Sequence, residues 1–560
     1  MPDFGFVGTS YEAPSIYQDA QECINFYAEI DPTKQPGSRG VVALYPTPGL
    51  VTQVTLPAAS VVRGMRALSG DQILIAVSGN KVYKIDLQFV ATEVGTLTTG
   101  TGYVSISDNV TTNNGLTAYI VDGPNRYTWV ASTNTFATLP ASDGPWQGAS
   151  VVDVVDNYNI YNEPNTQNWG CTDLGLASSS EALYGSKDGS PDNLVTLIVD
   201  RRQVYLIGEV TTEVWTDVGN VIQGIITFPF QRVPGTSAQS GCVSPFSVAR
   251  FANSFALVAR DTRGDSTIEI MDGYQYKRIS THAVEQSLVG YSTTDAVAYT
   301  YQIEGHEMYV VTFPSVGPNG LTWVYDLSTQ QWHKWLSWDS DASIYKRHRS
   351  NCGAFFANLN LVGDYENGKI YSIENNIYTD DNKTIRRLRR AVHITTDLQR
   401  QYFEEFQIQF QPGVGLVTMP GTETQDISTE SDVTIVAEFV QGYLTTQAGD
   451  QLVTESNDGN EPLVTQVQPL EDYNGYALST NQVAETAGYT PQAMMRWSND
   501  GGSTWSNEHW TSIGRIGAYQ NRAIWRRLGW SRDRIFEVAI SDPIKAVVVS
   551  ANLKASAADN

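Results

Sequence analysis

The sequence has few basic residues for its length. Its 560 residues include 36 Lys and Arg against 60 Asp and Glu, which gives a formal net charge of −24. A protein that grips nucleic acid neutralises phosphates with a surplus of Lys and Arg. The composition therefore excludes a DNA clamp, although an acidic surface would suit a channel through which DNA slides without sticking.

Paired cysteines and long apolar runs are also missing. The four cysteines, Cys23, Cys171, Cys242 and Cys352, lie far apart without a C-x-x-C pair, which excludes a zinc ribbon or a dithiol redox motif and predicts free thiols. No apolar run reaches about 18 residues, and the first residues show neither the basic nor the apolar region of a signal peptide. We expect no membrane anchor and no signal-directed secretion.

Catalytic and metal-binding spacings are absent as well. The sequence contains no H-E-x-x-H helix motif, no G-x-x-x-x-G-K-[ST] phosphate loop and no G-x-S-x-G nucleophile turn. We therefore predict no catalytic, metal-binding or cofactor-binding residues and no cofactor, and hence a protein that is not an enzyme.

Aromatic residues are abundant, at 11% of the chain, and they mark a repeat between about residues 64 and 376. Each unit has an apolar strand, a Gly/Asn/Asp turn and a second strand with an aromatic or apolar ending. The endings contain Val82, Tyr127, Trp169, Glu213, Ile268, Trp323 and Ile370. Their spacing of roughly 40 to 55 residues is typical of four-stranded propeller blades. We predict an all-β fold with a β-propeller of about seven blades, and the degenerate repeat also allows six or eight.

The repeat ends near Asp381, and the remaining sequence predicts a C-terminal antiparallel β module that carries an insertion. We expect the propeller at 61–380 and the C-terminal β platform module at 381–420 and 490–553. Residues 421–489 lie within a stretch without Lys, Arg or His and form an acidic inserted β subdomain or a partly mobile loop. We expect the N-terminal segment 1–60 to pack with the C-terminal module.

One motif in the C-terminal region has the S-x-D-x-G-x-T-W spacing of an Asp-box. It comprises Ser498, Asp500, Gly502, Thr504 and Trp505. In such a turn the carboxylate and hydroxyls bind backbone groups of a hairpin and the Trp packs beneath it. Sialidases carry Asp-boxes in several propeller blades. A single copy outside the repeat favours a structural role over glycosidase activity.

Two arginine-rich clusters stand out against the acidic background. We predict an assembly interface there because the planar guanidinium binds carboxylates in a bidentate way and stacks on aromatic rings. The alternatives are an ordinary charged face that pairs with neighbouring acids and a contact with DNA. The candidate residues are Arg386, Arg387, Arg389, Arg390, Arg515, Arg522, Arg526, Arg527, Arg532 and Arg534.

Both ends of the chain resemble a known family. The runs MRWSNDGGSTWSNEHW from Met495 and NRAIWRRLGWSRDRIFEV from Asn521 are similar to the packaged-DNA stabilisation proteins of short-tailed bacteriophages, which are tail hub or nozzle proteins. The runs PSIYQDAQECINFYAEI from Pro14, ALYPTPGL from Ala43 and FQPGVGL from Phe410 agree with it. The resemblance is absent across 421–489, which looks like an addition to the family pattern.

The resemblance implies a structural subunit of the virion tail, assembled in the host cytoplasm. Its implied partners are other copies of itself in a homohexameric ring, the portal-adaptor proteins of the head-to-tail connector, tail spikes or fibres, and a tail needle. It implies that the ring retains packaged double-stranded DNA and later conducts it through the lumen without specific binding. The alternatives are a propeller glycosidase and a carbohydrate-binding tail module.

Overall fold

The computed structural model describes residues 5–34, 41–219, 221–222, 225–260, 266–411, 453–454, 461–462, 491–514 and 521–557. Within these residues the fold is built almost wholly from β-strands. One α-helix spans His282–Leu288, and one 3₁₀ turn spans Pro245–Ser247. The Thr281 hydroxyl caps the helix by accepting a hydrogen bond from the Val284 N–H.

Seven antiparallel blades follow one another through the described part of the chain. Blade 1 contains Val62–Ala67, Leu74–Ser78, Lys81–Ile85 and Ala91–Thr96, and blade 2 contains Ser105–Thr111, Gly115–Val121, Arg126–Val130 and Thr135–Thr138. Blade 3 contains Val152–Val155, Tyr158–Asn162, Asn168–Cys171 and Tyr184–Ser186, and blade 4 contains Leu194–Asp200, Gln203–Gly208, Thr212–Asp217 and Phe230–Arg232. A short hairpin, Val221–Ile222 with Ile225–Ile226, lies within blade 4.

The remaining blades follow the same order. Blade 5 contains Gly241–Cys242, Ala249–Phe251, Ser254–Arg260, Ser266–Asp272 and Gln275–Arg278. Blade 6 contains Val297–Ile303, His306–Phe313, Leu321–Asp326 and Gln331–Lys334. Blade 7 contains Ser350–Phe356, Leu359–Asp364 and Lys369–Glu374, and Gly49–Thr55 completes it. Six of the seven sequence endings lie in the third strand of their blade. The seventh, Ile268 of blade 5, lies in Ser266–Asp272, because two short strands there both pair with Ser254–Arg260. The predicted all-β propeller is confirmed, with seven blades in the described residues.

Blades pack face to face because both faces of their central strands are apolar. In blade 1 all of Leu74–Ser78 is buried, with alternate residues packing against blade 2 and blade 7. Hydrogen bonds also join successive blades, at or next to their first strands. The Ser105 hydroxyl donates to the Val152 carbonyl, and the Ser244 hydroxyl donates to the Ala296 carbonyl.

The ring closes through the N-terminal strand Gly49–Thr55, which we call the closing strand. It pairs antiparallel with Lys369–Glu374 as the fourth strand of blade 7. At the inner end, the Asn351 amide of blade 7 donates to the Val62 carbonyl of blade 1. The expected propeller boundary at residue 61 is therefore wrong by one strand, since a strand from the N-terminal segment protects the last blade edge.

A β-sandwich follows the propeller. Its sheet I contains Ala20–Ile24, Arg387–Arg390, Asp533–Ile540, Gln492–Ser498 and His509–Ser512, with Tyr11–Glu12 and Ile394–Thr395 paired at its margins. Its sheet II contains Phe26–Ile30, Val42–Pro46, Val547–Ala557, Gln401–Gln411 and Ala523–Arg526, with Trp530–Ser531 paired to Gln401–Gln411. The N-terminal segment thus contributes two strands to sheet I, Tyr11–Glu12 and Ala20–Ile24, and two strands to sheet II.

The sandwich core is a cluster of large apolar side chains between the two sheets. The Phe406 ring stacks on Phe536 at 4.8 Å and on Trp525 at 5.4 Å. Sheet I also continues into blade 6, where Ile24 pairs in parallel with Lys334. Asn25, fully buried with a φ of 58°, donates its side-chain amide to the carbonyls of Leu336 and Arg386.

Two further hairpins lie between the propeller and the sandwich. Leu336–Asp339 pairs with Ile344–Arg347, and Thr379–Asp380 pairs with Lys383–Thr384. The expected acidic inserted subdomain or loop at 421–489 lies outside the described residues, apart from a short pair of strands, Val453–Thr454 and Glu461–Pro462.

Candidate functional site

The first arginine cluster lies mostly inside the protein. Arg389 is 1% exposed and donates to the carbonyls of Phe6 (2.6 Å) and Thr9 (2.8 Å) and to the Gln21 side chain (2.6 Å). Burial lowers its pKa to about 10. Arg389 therefore anchors the N-terminal segment to sheet I.

Its neighbours on the same strand also have internal partners. Arg387 is fully buried beside the Tyr378 ring, and burial lowers its pKa to about 10. Arg390 contacts the carboxylates of Glu22 at 3.1 Å and Glu537 at 2.8 Å. These contacts hold strands of sheet I together.

Arg534, in the second cluster, is buried as well. It donates to Asn499 Oδ1 at 2.9 Å and to the Leu528 carbonyl at 2.5 Å, and its guanidinium lies 4.4 Å from the centre of the Phe403 ring. Burial lowers its pKa to about 10. The predicted interface role is therefore wrong for Arg387, Arg389 and Arg534, because their guanidinium groups cannot reach a neighbouring molecule.

The remaining candidates differ in how much of the side chain is free. Arg386 lies 4.5 Å above the Trp338 ring. Arg522 donates to Gln407, and Arg526 pairs with Glu405 at 2.8 Å. Arg527 and Arg532 are exposed near the start of Gln401–Gln411. Arg515 lies outside the described residues.

Exposed aromatic and apolar side chains surround Arg532. Tyr402 and Trp530 are paired across neighbouring strands and are 47% and 49% exposed. The Arg400 guanidinium lies 4.2 Å from the centre of the Trp530 ring, and Arg532 donates to the carbonyl of the exposed Leu398 at 2.7 Å. We call Leu398, Arg400, Tyr402, Trp530 and Arg532 the Trp530 surface.

Of these five residues, only Arg532 was predicted from the sequence. Tyr402 could have been found, because alternation along Gln401–Gln411 places it on the face opposite the buried Phe403. Trp530 could not, since the buried Trp525 and the exposed Trp530 are separated by a turn in which Arg527 and Gly529 have φ values of 60° and 75°. Such a turn resets the alternation.

The Asp-box residues form a closed turn between Gln492–Ser498 and His509–Ser512. Asp500 accepts hydrogen bonds from the Ser498 hydroxyl (2.6 Å), the Thr504 N–H (2.9 Å) and the Thr504 hydroxyl (2.6 Å). The hydrogen bonds from Ser498 and Thr504 lower the pKa of Asp500 to about 2. Gly502, at a φ of 99°, donates its N–H to the Ser498 hydroxyl.

Trp505 extends this turn into the sheet I network. The guanidinium groups of Arg390 and Arg496 lie 5.0 Å and 4.8 Å from the centre of its ring. Both arginines also contact the buried Glu537. The three hydrogen bonds that Asp500 accepts all come from residues of the same turn. The geometry of the Asp-box is therefore that of a structural turn.

Two further observations concern other classes of site. Within the described ranges, no three His, Cys, Asp or Glu side chains lie close enough together to hold a metal ion. No helix in the same ranges is long and apolar enough to cross a membrane.

Comparison with known proteins gives two family matches. A family model described as bacteriophage P22 Gp10, beta-propeller, matches residues 18–378, and a second, described as bacteriophage P22 Gp10, beta-sandwich, matches residues 466–556. The second match begins inside 421–489, so the expectation that this whole segment is an addition to the family pattern is wrong from residue 466 onward. No curated protein matches the chain.

Among solved structures the chain is similar to one titled "Crystal Structure of Mitotic Checkpoint Complex". The TM-score is 0.35 and the identity 12%, over 62% of this chain and 97% of that chain. A similarity of this size carries no argument about function.

Proposed function

Since this chain belongs to the bacteriophage P22 Gp10 family of phage tail hub proteins, we propose that it forms a homohexameric ring below the portal-adaptor proteins of a short-tailed virion. The ring retains packaged DNA, attaches spikes or fibres together with a tail needle, and conducts DNA during ejection. It assembles in the host cytoplasm. The family is a structural one, and the proposed role requires no catalysis.

The Trp530 surface supports the ring proposal most directly. Trp, Tyr and Arg are enriched in protein interfaces and at the positions that dominate binding energy. In this surface two aromatic rings are about half exposed beside two arginines. A monomer gains nothing from leaving both rings in water, whereas a neighbouring subunit would bury them.

Charge supports a contact between unlike faces. The chain carries a net charge of −24, so exposed arginines are complementary to most of the remaining surface of another copy. A cyclic ring uses such heterologous contacts, in which one face meets a different face of the next subunit, and closure stops a filament from forming. Of the predicted set, Arg532 belongs to the Trp530 surface, and the exposed Arg527 donates its N–H to the carbonyl of Glu404, two residues after Tyr402.

The test is assembly on a purified portal-adaptor complex, measured by native mass spectrometry and electron microscopy. We expect six copies of the natural chain to form a ring. The double variant Arg527→Glu/Arg532→Glu should lose the ring while its thermal unfolding temperature stays within a few degrees. We avoid Arg526 because its pairing with Glu405 would also be broken.

The matched control is Lys277→Glu, an exposed charge reversal on blade 5. It should assemble like the natural chain. Full ring formation by the double variant would contradict the interface, and a natural chain that ignored the portal-adaptor complex would contradict the proposed function itself.

A further inference from the structure

A cavity of about 310 Å³ lies between the two hairpins and blade 7. One wall is formed by the hairpin that contains Ser337 and Trp338, and the opposite wall by the hairpin that contains Asp380 and Lys383. Tyr365, in the turn after Leu359–Asp364, completes it. Its volume is at the lower end of the range for small-molecule sites.

Asp380 is an unusual component of this cavity. It is 3% exposed, and its Oδ1 has no hydrogen-bond partner among the described residues. Burial raises its pKa to about 7, although Arg349 and Arg387 oppose the shift. A buried carboxyl oxygen without a donor is costly, and such groups in native proteins are explained by a function or a bound species.

A second polar group on the opposite wall is in the same state. The Ser337 hydroxyl is buried and has no partner within the described part of the chain. Ser337 and Asp380 both line the cavity. The walls of the cavity therefore contain a buried hydroxyl oxygen and a buried carboxyl oxygen whose hydrogen-bonding capacity is unused.

The charges around the cavity nearly balance. Four acidic and three basic side chains line it. Several are already paired, since Lys346 contacts Asp339 at 2.7 Å and Arg349 contacts Asp364 at 2.7 Å. A cavity without a surplus of either sign does not favour a strongly charged ligand. Hydroxyl groups, which both donate and accept, fit such a mixed lining.

Two aromatic rings in the lining are held in place by arginines. The Arg386 guanidinium lies 4.5 Å from the centre of the Trp338 ring, and the Arg347 guanidinium lies 3.8 Å from the centre of the Tyr365 ring. Rings fixed in this way form an apolar wall that loses little conformational freedom on binding. They suit a ligand with apolar C–H edges beside its hydroxyls.

We propose that this cavity binds one or two residues of a neutral saccharide, with Asp380 accepting a hydrogen bond from a sugar hydroxyl and Ser337 completing the polar contact. The three tryptophans between residues 332 and 338 differ in their surroundings. Trp332 and Trp335 are buried in the propeller core, whereas Trp338 is partly exposed and lines the cavity. The inference is independent of ring formation, because every residue involved belongs to one chain.

The test is saturation-transfer NMR on the full chain with glucose, galactose, mannose, rhamnose and N-acetylglucosamine, each at millimolar concentration. We expect signal transfer to at least one sugar. Asp380→Asn should weaken that binding about tenfold or more, since hydrogen bonds to charged groups are the stronger ones. The amide has nearly the size of the carboxyl, but the variant also removes the negative charge beside the buried Arg387, so its thermal unfolding is measured in parallel to check that the fold is kept.

Two further variants keep the result clear. Lys383→Ser, at the exposed rim, should weaken sugar binding several-fold without affecting the fold. Asp272→Asn, an exposed acid-to-amide change on blade 5, should bind like the natural chain. Absence of transfer to every sugar would overturn the proposal, and so would transfer in Asp380→Asn and Lys383→Ser that equals that of the natural chain. So would binding of a lysine-rich peptide in place of the sugars.

Discussion

The arginines of the two sequence clusters include both buried and exposed side chains, and the residues around each arginine determine which it is. Arg389 and Arg534 donate to carbonyl and side-chain oxygens inside the sandwich, whereas Arg527 and Arg532 are exposed. The sequence shows the charge of each residue but not which carbonyls are left without a partner by the strands around it. Composition thus predicted arginine-rich surfaces but could not separate buried anchors from interface residues.

His306 is a single residue that joins the propeller to the sandwich. Its Nδ1 lies 2.8 Å from Asp326 of blade 6, and its Nε2 lies 2.6 Å from Glu29 of sheet II. The hydrogen bond with Asp326 is the main cause that raises its pKa to about 9, with Glu29 adding to it, while burial opposes the shift. The imidazolium is therefore the native form at neutral pH.

We predict that this contact stabilises the fold in acid and neutral solution and fails in alkali. A pKa that is higher in the folded state gives stability that is fully present below about pH 6.5, the value for unfolded chains, and is lost as pH rises through about 9. The contribution is at most about 3.5 kcal/mol, since one pKa unit corresponds to about 1.4 kcal/mol. Thermal unfolding of the natural chain and His306→Gln, compared from pH 6 to pH 10, measures it.

The difference in unfolding temperature between these two proteins should shrink as pH rises. His282→Gln is the control, because it changes an exposed histidine at the first position of helix His282–Leu288. It should differ little from the natural chain at any pH. A difference for His306→Gln that stays constant up to pH 10 would show that the imidazolium has no such role.

Strands were easier to predict than their partners. The seven endings, such as Val82 and Trp323, each identified one strand in a different blade, because local alternation and turn residues carry that information. The closing strand Gly49–Thr55 was assigned to the other module, since its partner lies more than 300 residues later in the sequence. Long-range pairing of this kind leaves no periodic signal.

The closing strand gives a prediction at Gly49. A Cβ at this position would lie 2.5 Å from the Thr379 carbonyl oxygen and 2.6 Å from that of Ile377. Backbone oxygens cannot move aside like a flexible side chain, so Gly49→Ala should lower the free energy of unfolding by at least about 2 kcal/mol. Chemical denaturation followed by tryptophan fluorescence measures the change.

Gly100→Ala is the matched control, because a Cβ there meets no atom within 4 Å. Its effect should stay within about 0.5 kcal/mol. Equal stability of the two variants would mean that the closing strand tolerates displacement. The close approach of the Thr379 and Ile377 carbonyl oxygens to Gly49 would then not limit stability.

The propeller and the sandwich are parts of one continuous structure at the scale of the whole molecule. Sheet I runs into blade 6 through Ile24 and Lys334, and Lys334 also contacts Glu12 at 2.7 Å and Glu22 at 2.8 Å. Strand pairing and charge contacts thus connect the two modules. In a ring, a contact at the Trp530 surface would therefore position the propeller as well.

The propeller axis is crossed by side chains. The ring of Tyr103, which precedes the first strand of blade 2, lies 5.1 Å from that of Phe246 in the 3₁₀ turn of blade 5, and its hydroxyl lies 3.4 Å from Asn351 of blade 7. Blades 2 and 5 stand on opposite sides of the propeller, so these contacts span its centre. In the proposed ring, a passage for DNA would have to lie between subunits.

An acidic passage between subunits leads to a prediction about the free chain. With a net charge of −24 it should not bind duplex DNA at 0.15 M salt, with a dissociation constant weaker than about 10⁻⁴ M, the weak end of nonspecific binding. Fluorescence anisotropy of a labelled 30-base-pair duplex measures this, with a basic DNA-binding protein as the positive control. Tight binding that weakens steeply with salt would mean that a basic surface faces the DNA, and a passage that conducts DNA without holding it would then be ruled out.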